Sequence, residues 1–457
     1  MKIGFKQQDL TKGRIAPLLV MFAVPYMLSS LMQALYGAVD MIVVGQFTNV
    51  AGLSAVSIGS QFMFLIMHLI MGLSMGATIM IGRYFGAHDE QGIDETLGTM
   101  FSSFAIISVV ATVVMFAAID PVIALLQTPP EAVEQTRSYI LISVLGIIFM
   151  FAYNALSAML RGFGDSKSPM IFVGIACVCN IFGDLLLVAV FHMGAGGAAL
   201  ATIASQGLSA LLAVIYLKRQ NFRFKFHKLS NYRIHWGKLK SLFLLGAPMA
   251  IQGVLTTVSF MFITATVNVM GGVVASAAIG VMGKLNGFTM LPPISFSAAI
   301  SAMVAQNMGA HELRRSLKCM YTGVAASLAF GVPCFIFLQF FPHAAITVFT
   351  KDAALIRAGT LYLHSFSIDC MLVCVVFCLN GFFNGCGHTT FSMFNNVLAA
   401  FLIRVPATWL FSRLPHATLF HIGFAAPCAS IASIFIGLLY LKKGKWQKSN
   451  ILGGNLQ

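Results

Sequence analysis

The chain of 457 residues is 58% hydrophobic and only 9% charged, whereas soluble domains carry about 25% charged residues. This composition excludes an ordinary soluble enzyme or binding domain and predicts a polytopic membrane protein. The net charge of +14 resides mainly in the loops between apolar segments. It therefore indicates membrane orientation rather than binding of nucleic acid.

Twelve apolar segments are each long enough to cross a bilayer, which takes about 20 residues of helix. We therefore expect an all-α protein of twelve transmembrane helices. The predicted spans are residues 15–42, 52–78, 95–118, 138–159, 169–191, 196–217, 241–267, 274–300, 319–341, 358–382, 391–412 and 418–441.

The chain also contains an internal repeat. The tripeptide Gly-Ala-His at residues 86–88 recurs at 309–311, an offset of 223, and the same offset relates Pro25 to Pro248. Each half holds six spans, an even number, so both halves begin on the same side of the membrane and form parallel repeats around a central cleft. We predict an N-terminal lobe at 1–217, a basic cytoplasmic linker at 218–240 and a C-terminal lobe at 241–457.

The distribution of Lys and Arg predicts the orientation. With the N-terminus inside, the inner segments hold 22 of these residues and the outer loops hold four. Cytoplasmic loops are enriched in Lys and Arg, so both termini are expected in the cytoplasm. The expected location is the bacterial plasma (inner) membrane, with lipids as neighbours and a monomer as the working unit.

Asp40 is the central residue of the candidate site. No Asp, Glu, Lys or Arg occurs from Ile15 to Val39 or from Met41 to Gly82. A charge at mid-bilayer costs about 2.5–3.5 kcal/mol on insertion scales, so an intramembrane acid is a functional residue by default. Gln33 and Tyr36 precede Asp40 by seven and four residues and share its helix face.

Further polar residues in the first half complete the candidate set. Asn180 and Asp184 share one face of span five, and Thr202 and Gln206 share one face of span six. Tyr139 and Asn154 lie on span four. Oxygens of these types bind Na⁺, and a carboxyl can equally hold a proton. We predict ion coupling at Asp40, Asn180, Asp184 and Thr202. The other five residues are expected to form a surrounding polar network, and a purely structural network is the alternative.

The second half lacks this set. At the repeat offset Asp40 corresponds to Ile263 and Asp184 to Ala407, so ion coupling is expected in the first half only. The intramembrane charges of the second half are Lys284, Asp369 and Arg404. Lys284 is expected either to pair with Asp369 or to contact substrate or a gate. Asp369 and Arg404 are further candidates for substrate or gating contacts, and the alternative for Arg404 is that it reaches toward an interface.

The sequence carries no P-loop, nucleophile elbow or His/Cys metal spacing, so no enzyme activity and no cofactor beyond H⁺ or Na⁺ is expected. Cys370, Cys374 and Cys378 lie on one helix face and are interpreted as packing residues.

These features together resemble the multidrug and toxic compound extrusion (MATE) family. The resemblance depends on Pro25, Asp40 and Gly45 in span one, the glycines from Gly72 to Gly86, the stretch Arg-Gly-Phe-Gly-Asp at 161–165, and Gln-Asn-Met-Gly-Ala at 306–310. It extends over nearly the whole chain.

The resemblance implies export of small organic compounds, often cationic and amphipathic, against an inward H⁺ or Na⁺ gradient. It places coupling on Asp40, with Asn180, Asp184 and Thr202 as partners. Span seven lacks the carboxylate of some branches, which favours a DinF-like mechanism. The alternative function is a flippase for a lipid-linked or glycan precursor, for which only Lys284 and Arg404 offer positive charge.

Overall fold

The structure, a computed structural model, describes residues 8–220 and 229–447. Every regular element in these ranges is helical, and they contain no strand. Helices satisfy all backbone hydrogen bonds within one segment, which an apolar run needs in lipid. The predicted all-α membrane fold is confirmed.

In the described ranges, ten helices are long and apolar enough to span a membrane, and two bent helix pairs complete the predicted twelve. We number these spans α1 to α12. They are α1 Ile15–Phe47, α2 Val50–Gly86, α3 Glu90–Ala117, α4 Pro130–Leu145 with Ile147–Gly162, α5 Lys167–Val190, α6 Gly194–Arg219, α7 Trp236–Val269, α8 Ala277–Gly309, α9 Leu313–Phe340, α10 Ala353–Phe366 with Asp369–Gly385, α11 Thr389–Ser412 and α12 Leu419–Lys442. One uninterrupted α-helix covers Trp236–Thr289, so it includes α7 and the first part of α8.

Spans α4 and α10 are bent, by 42° and 48°. The sequence predicted each as one continuous span. The break in α4 falls at Gly146, where an added Cβ would collide with the side chain of Ile203. The bend thus lies at a close contact between α4 and α6.

Two spans contain π-helical turns. In α5 the α-helix ends at Asp184, and a π-helix follows over Leu185–Val190. In α11 a π-helix covers Ala399–Arg404. Such turns are rare and frequently mark functional sites. The first π-helix follows Asp184 and the second ends at Arg404, and both are charged residues predicted to lie in the membrane.

The chain divides into two compact units. Unit 1 comprises Met1–Asp9 and Val24–Ala250, and unit 2 comprises Leu10–Ala23 and Ile251–Gln457. Each unit thus includes one piece from the other half of the sequence. The lobe boundaries at 217 and 240 remain a prediction, and residues 221–228 of the predicted linker lie outside the described ranges.

Candidate ion-coupling site

Within unit 1 a chain of hydrogen bonds connects residues of α5 and α6 to Asp40 of α1. Asp40 lies on α1 and is only 2% exposed. The Thr202 hydroxyl of α6 donates to Asp40 Oδ2 at 2.9 Å. The Asn180 amide of α5 donates to the same hydroxyl at 3.2 Å. The structure therefore brings together three of the four residues predicted for coupling, each from a different span.

Asp184 completes the set. It follows Asn180 by one helical turn, is fully buried, and its carboxyl lies near enough to the Asp40 carboxyl for the two to interact electrostatically. Two bare carboxylates at such a separation repel each other strongly in a low-dielectric interior. The pair is stable only when it shares a proton or a cation lies between its oxygens.

Several oxygens of this site have no donor among the described residues. They are Asp40 Oδ1, Asn180 Oδ1 and both oxygens of Asp184. A buried acceptor without a partner costs about 1–3 kcal/mol, and more when it is charged. Carboxylate and amide oxygens are the ligands that hard cations prefer. The residues present therefore fit either a proton shared by the acids or a small cation such as Na⁺.

The wider predicted network is only partly assembled. Tyr139 is 7% exposed and lies near enough to Asp40 and Asp184 to interact with both electrostatically. Its ring packs on Gly59, where any Cβ would overlap it. The hydroxyl of Tyr36 instead donates to the backbone oxygen of Val173 at 3.1 Å.

The remaining three residues of the predicted network do not join the site. The Asn154 amide donates to Met150 of its own helix at 2.8 Å. Gln33 and Gln206 are half-buried and form no side-chain hydrogen bond in the part of the chain that the structure describes. The second-half counterpart of Asp40, Ile263, packs in an apolar cluster of unit 2.

The predicted pairing of Lys284 with Asp369 is wrong. Lys284 is exposed, whereas Asp369 is buried and accepts a hydrogen bond from Ser430 at 2.6 Å. The reason is helix rotation: Met282, two residues earlier, lies in the apolar cluster, and residues two apart on a helix point in nearly opposite directions.

Arg404 is the cation that acts on Asp369. The two groups attract each other electrostatically, and the Arg404 guanidinium lies over the Phe260 ring, 4.9 Å from its centroid. Its Nε and Nη1 atoms are buried. The expectation that Arg404 reaches toward an interface is therefore also wrong, because the side chain turns inward to an aromatic face and an acid.

Sequence reasoning missed the polar contacts of α10 to α12. Besides Ser430, the amide of Asn380 donates to Asn396 at 3.2 Å, and the amide of Asn395 donates to the hydroxyl of Ser433 at 3.0 Å. The adjacent asparagines 395 and 396 in an apolar span were the available signal.

Comparisons with known proteins bear on the family and the fold. The sequence model of the MatE family matches residues 25–186 and again 248–410, which repeats the predicted offset. "Probable multidrug resistance protein YpnP" of Bacillus subtilis strain 168 is 27% identical over 446 residues, 97% of this chain and 98% of YpnP. The multidrug export protein MepA of Staphylococcus saprophyticus is 22% identical over 454 residues, 98% of each chain.

Solved structures share the fold. An outward-facing multidrug resistance MATE transporter of the MOP superfamily superposes with a TM-score of 0.91 at 20% identity, covering 98% of this chain and all of that one. A MOP superfamily transporter from Pyrococcus furiosus, for which a reversed pocket polarity suggests a different function, gives 0.88 at 19% identity over the same shares of the two chains. The chain belongs to the MatE family and is a multi-pass membrane transporter, not an enzyme.

Proposed function

We propose that the protein is a secondary active antiporter that exports small organic compounds, often cationic and amphipathic, in exchange for inward H⁺ or Na⁺. It works as a monomer in the bacterial plasma membrane, with both termini in the cytoplasm. The relatives are named multidrug resistance and multidrug export proteins, which supports export of small organic compounds.

One observation carries the coupling proposal: the buried carboxyls of Asp40 and Asp184 interact electrostatically, and three of their four oxygens have no hydrogen-bond partner among the described residues. At an effective dielectric constant near 20, two like charges 4 Å apart repel by on the order of 4 kcal/mol. A proton or cation between them removes this repulsion and favours close packing of α1 against α5. Loss of the ion favours their separation. Ion occupancy thereby biases the position of α1, which is what coupling to a transport cycle requires.

The test is efflux of a panel of cationic dyes from proteoliposomes under separately imposed pH and Na⁺ gradients. We expect wild-type protein to respond to at least one gradient and Asp40→Asn to lose the response, because an amide neither releases a proton nor neutralises a cation. Asp120→Asn is the matched control, since Asp120 is an exposed acid that lies outside the spans and pairs with Arg137. Wild-type rates in Asp40→Asn would overturn the coupling assignment.

A further inference from the structure

Unit 2 contains a basic cavity at the starts of α1 and α9. Its volume is about 730 Å³. The charged side chains that line it are Arg14, Glu312, Arg314, Arg315 and Lys318. Four cations thus share a small space with one acid. This cavity is separate from the ion-coupling site, which lies in unit 1.

The positive charge of the cavity is not neutralised from within. The side chains of Arg14, Arg314 and Lys318 form no ion pair with any residue in the described ranges. Arg315 directs Nη2 to the backbone oxygens of Leu10 and Lys12, at 3.3 and 3.1 Å, and its Nε is buried without a partner there. The first turns of α1 and α9 add their helix dipoles, whose N-terminal ends are also positive.

The repeat provides an internal comparison. At the offset of 223, Arg314 corresponds to Gln91, Lys318 to Glu95, and Ile15 to Lys238. In unit 1, Lys238 Nζ lies 3.6 Å from Glu95 Oε2 and 3.8 Å from the centroid of the Tyr84 ring. The equivalent position of the repeat in unit 1 is therefore occupied by an internal ion pair. The fold does not require an excess of cationic side chains at this position, so the excess in unit 2 is suited to binding an anion.

The flanking surface indicates which anion fits. Beyond the cavity, Val20 and Met21 on α1 are 40% and 61% exposed, and Tyr321 on α9 is 60% exposed. Basic pockets between membrane helices bind lipid phosphates, and such apolar side chains suit the acyl chains. We propose that this cavity holds the headgroup phosphate of an anionic phospholipid. Inorganic phosphate carries the same charged group but has no acyl chain to contact the exposed apolar side chains.

The test measures lipid binding to the purified full-length protein by native mass spectrometry, with phosphatidylglycerol and phosphatidylcholine titrated separately. Wild-type protein is expected to prefer phosphatidylglycerol. The double variant Arg314→Gln/Lys318→Gln is expected to bind it on the order of 25-fold more weakly, since each surface cation contributes about fivefold. Lys442→Gln/Lys443→Gln, which removes two exposed cations at the end of α12, is expected to keep the preference.

A charge-conserving swap, Arg314→Lys/Lys318→Arg, separates loss of charge from misfolding and is expected to bind like wild type. Retention of the preference in Arg314→Gln/Lys318→Gln overturns the proposal, as does equal loss in the α12 variant. Displacement of phosphatidylglycerol by millimolar inorganic phosphate also overturns it, because the cavity would then serve a soluble anion.

Discussion

Asp40 and Asp369 are both buried intramembrane acids, yet their neighbours differ. Asp40 faces a second acid and receives one hydroxyl donor, from Thr202. Asp369 receives a hydroxyl from Ser430 and the field of Arg404. When a neighbouring cationic side chain already balances the charge of a buried acid, the acid does not require an exchangeable cation. Of the two, Asp40 therefore has the environment suited to ion exchange.

Thr202 offers a residue-scale test, because its hydroxyl donates to Asp40 and accepts from Asn180. Thr202→Val keeps the shape and removes both hydrogen bonds, at a cost of about 1–3 kcal/mol. If the coupling ion is H⁺, loss of a donor to the charged carboxylate favours its protonated form, and we expect the proton concentration for half-maximal dye efflux to fall by roughly tenfold. If the ion is Na⁺, loss of a ligand oxygen should raise the Na⁺ concentration for half-maximal efflux by a similar factor. Thr202→Ser, which keeps the hydroxyl, is expected to behave like wild type. An unchanged ion dependence in Thr202→Val would remove the hydroxyl from the site.

At the scale of elements, glycines allow a close approach between α2 and α7 in unit 1. A Cβ on Gly72 of α2 would lie 2.5 Å from the Ala250 nitrogen and 2.7 Å from the Gly246 oxygen of α7. Gly76 approaches the Gly246 nitrogen in the same way, at 2.9 Å. Small residues at helix crossings in membranes allow such backbone contact, which stabilises the pair by van der Waals packing.

Gly72→Ala is therefore expected to destabilise the protein by about 1–3 kcal/mol, because the new methyl group must push backbone apart. Gly37→Ala on α1 is the control, since nothing lies within 4 Å of its added Cβ. That change should be neutral or stabilising by up to about 1 kcal/mol through helix propensity. Thermal unfolding in detergent measures both. Equal melting temperatures for the two variants would contradict the close crossing.

For the whole molecule, the orientation proposed from the distribution of basic residues can be tested at two exposed turns. His88 follows α2 and His192 follows α5. With cytoplasmic termini, the first turn lies inside and the second outside. An epitope inserted after His192 should be labelled by antibody in intact cells, and one after His88 only after permeabilisation. The reverse labelling would invert the proposed topology.

The number of spans and the Asp40 cluster could be predicted because the bilayer acts on individual residues. Length and apolarity decide a span, and an intramembrane acid such as Asp40 is conspicuous by its cost. The rest depends on tertiary contacts. Lys284 was misplaced because helix rotation is set by packing. Ser430 was missed because a serine in an apolar span has no distinctive pattern, and the bend at Gly146 depends on its contact with Ile203.

The N-terminal segment has a consequence for biosynthesis. Leu10 is fully buried, and its amide donates to Gln306, 296 residues later in the chain. Ribosomes add about 5–20 residues per second, so the partner emerges about 15–60 s after Leu10. During that interval the N-terminal segment lacks its native contacts in unit 2. Premature termination before α8 would therefore leave the start of the chain, and not only its end, without its native contacts.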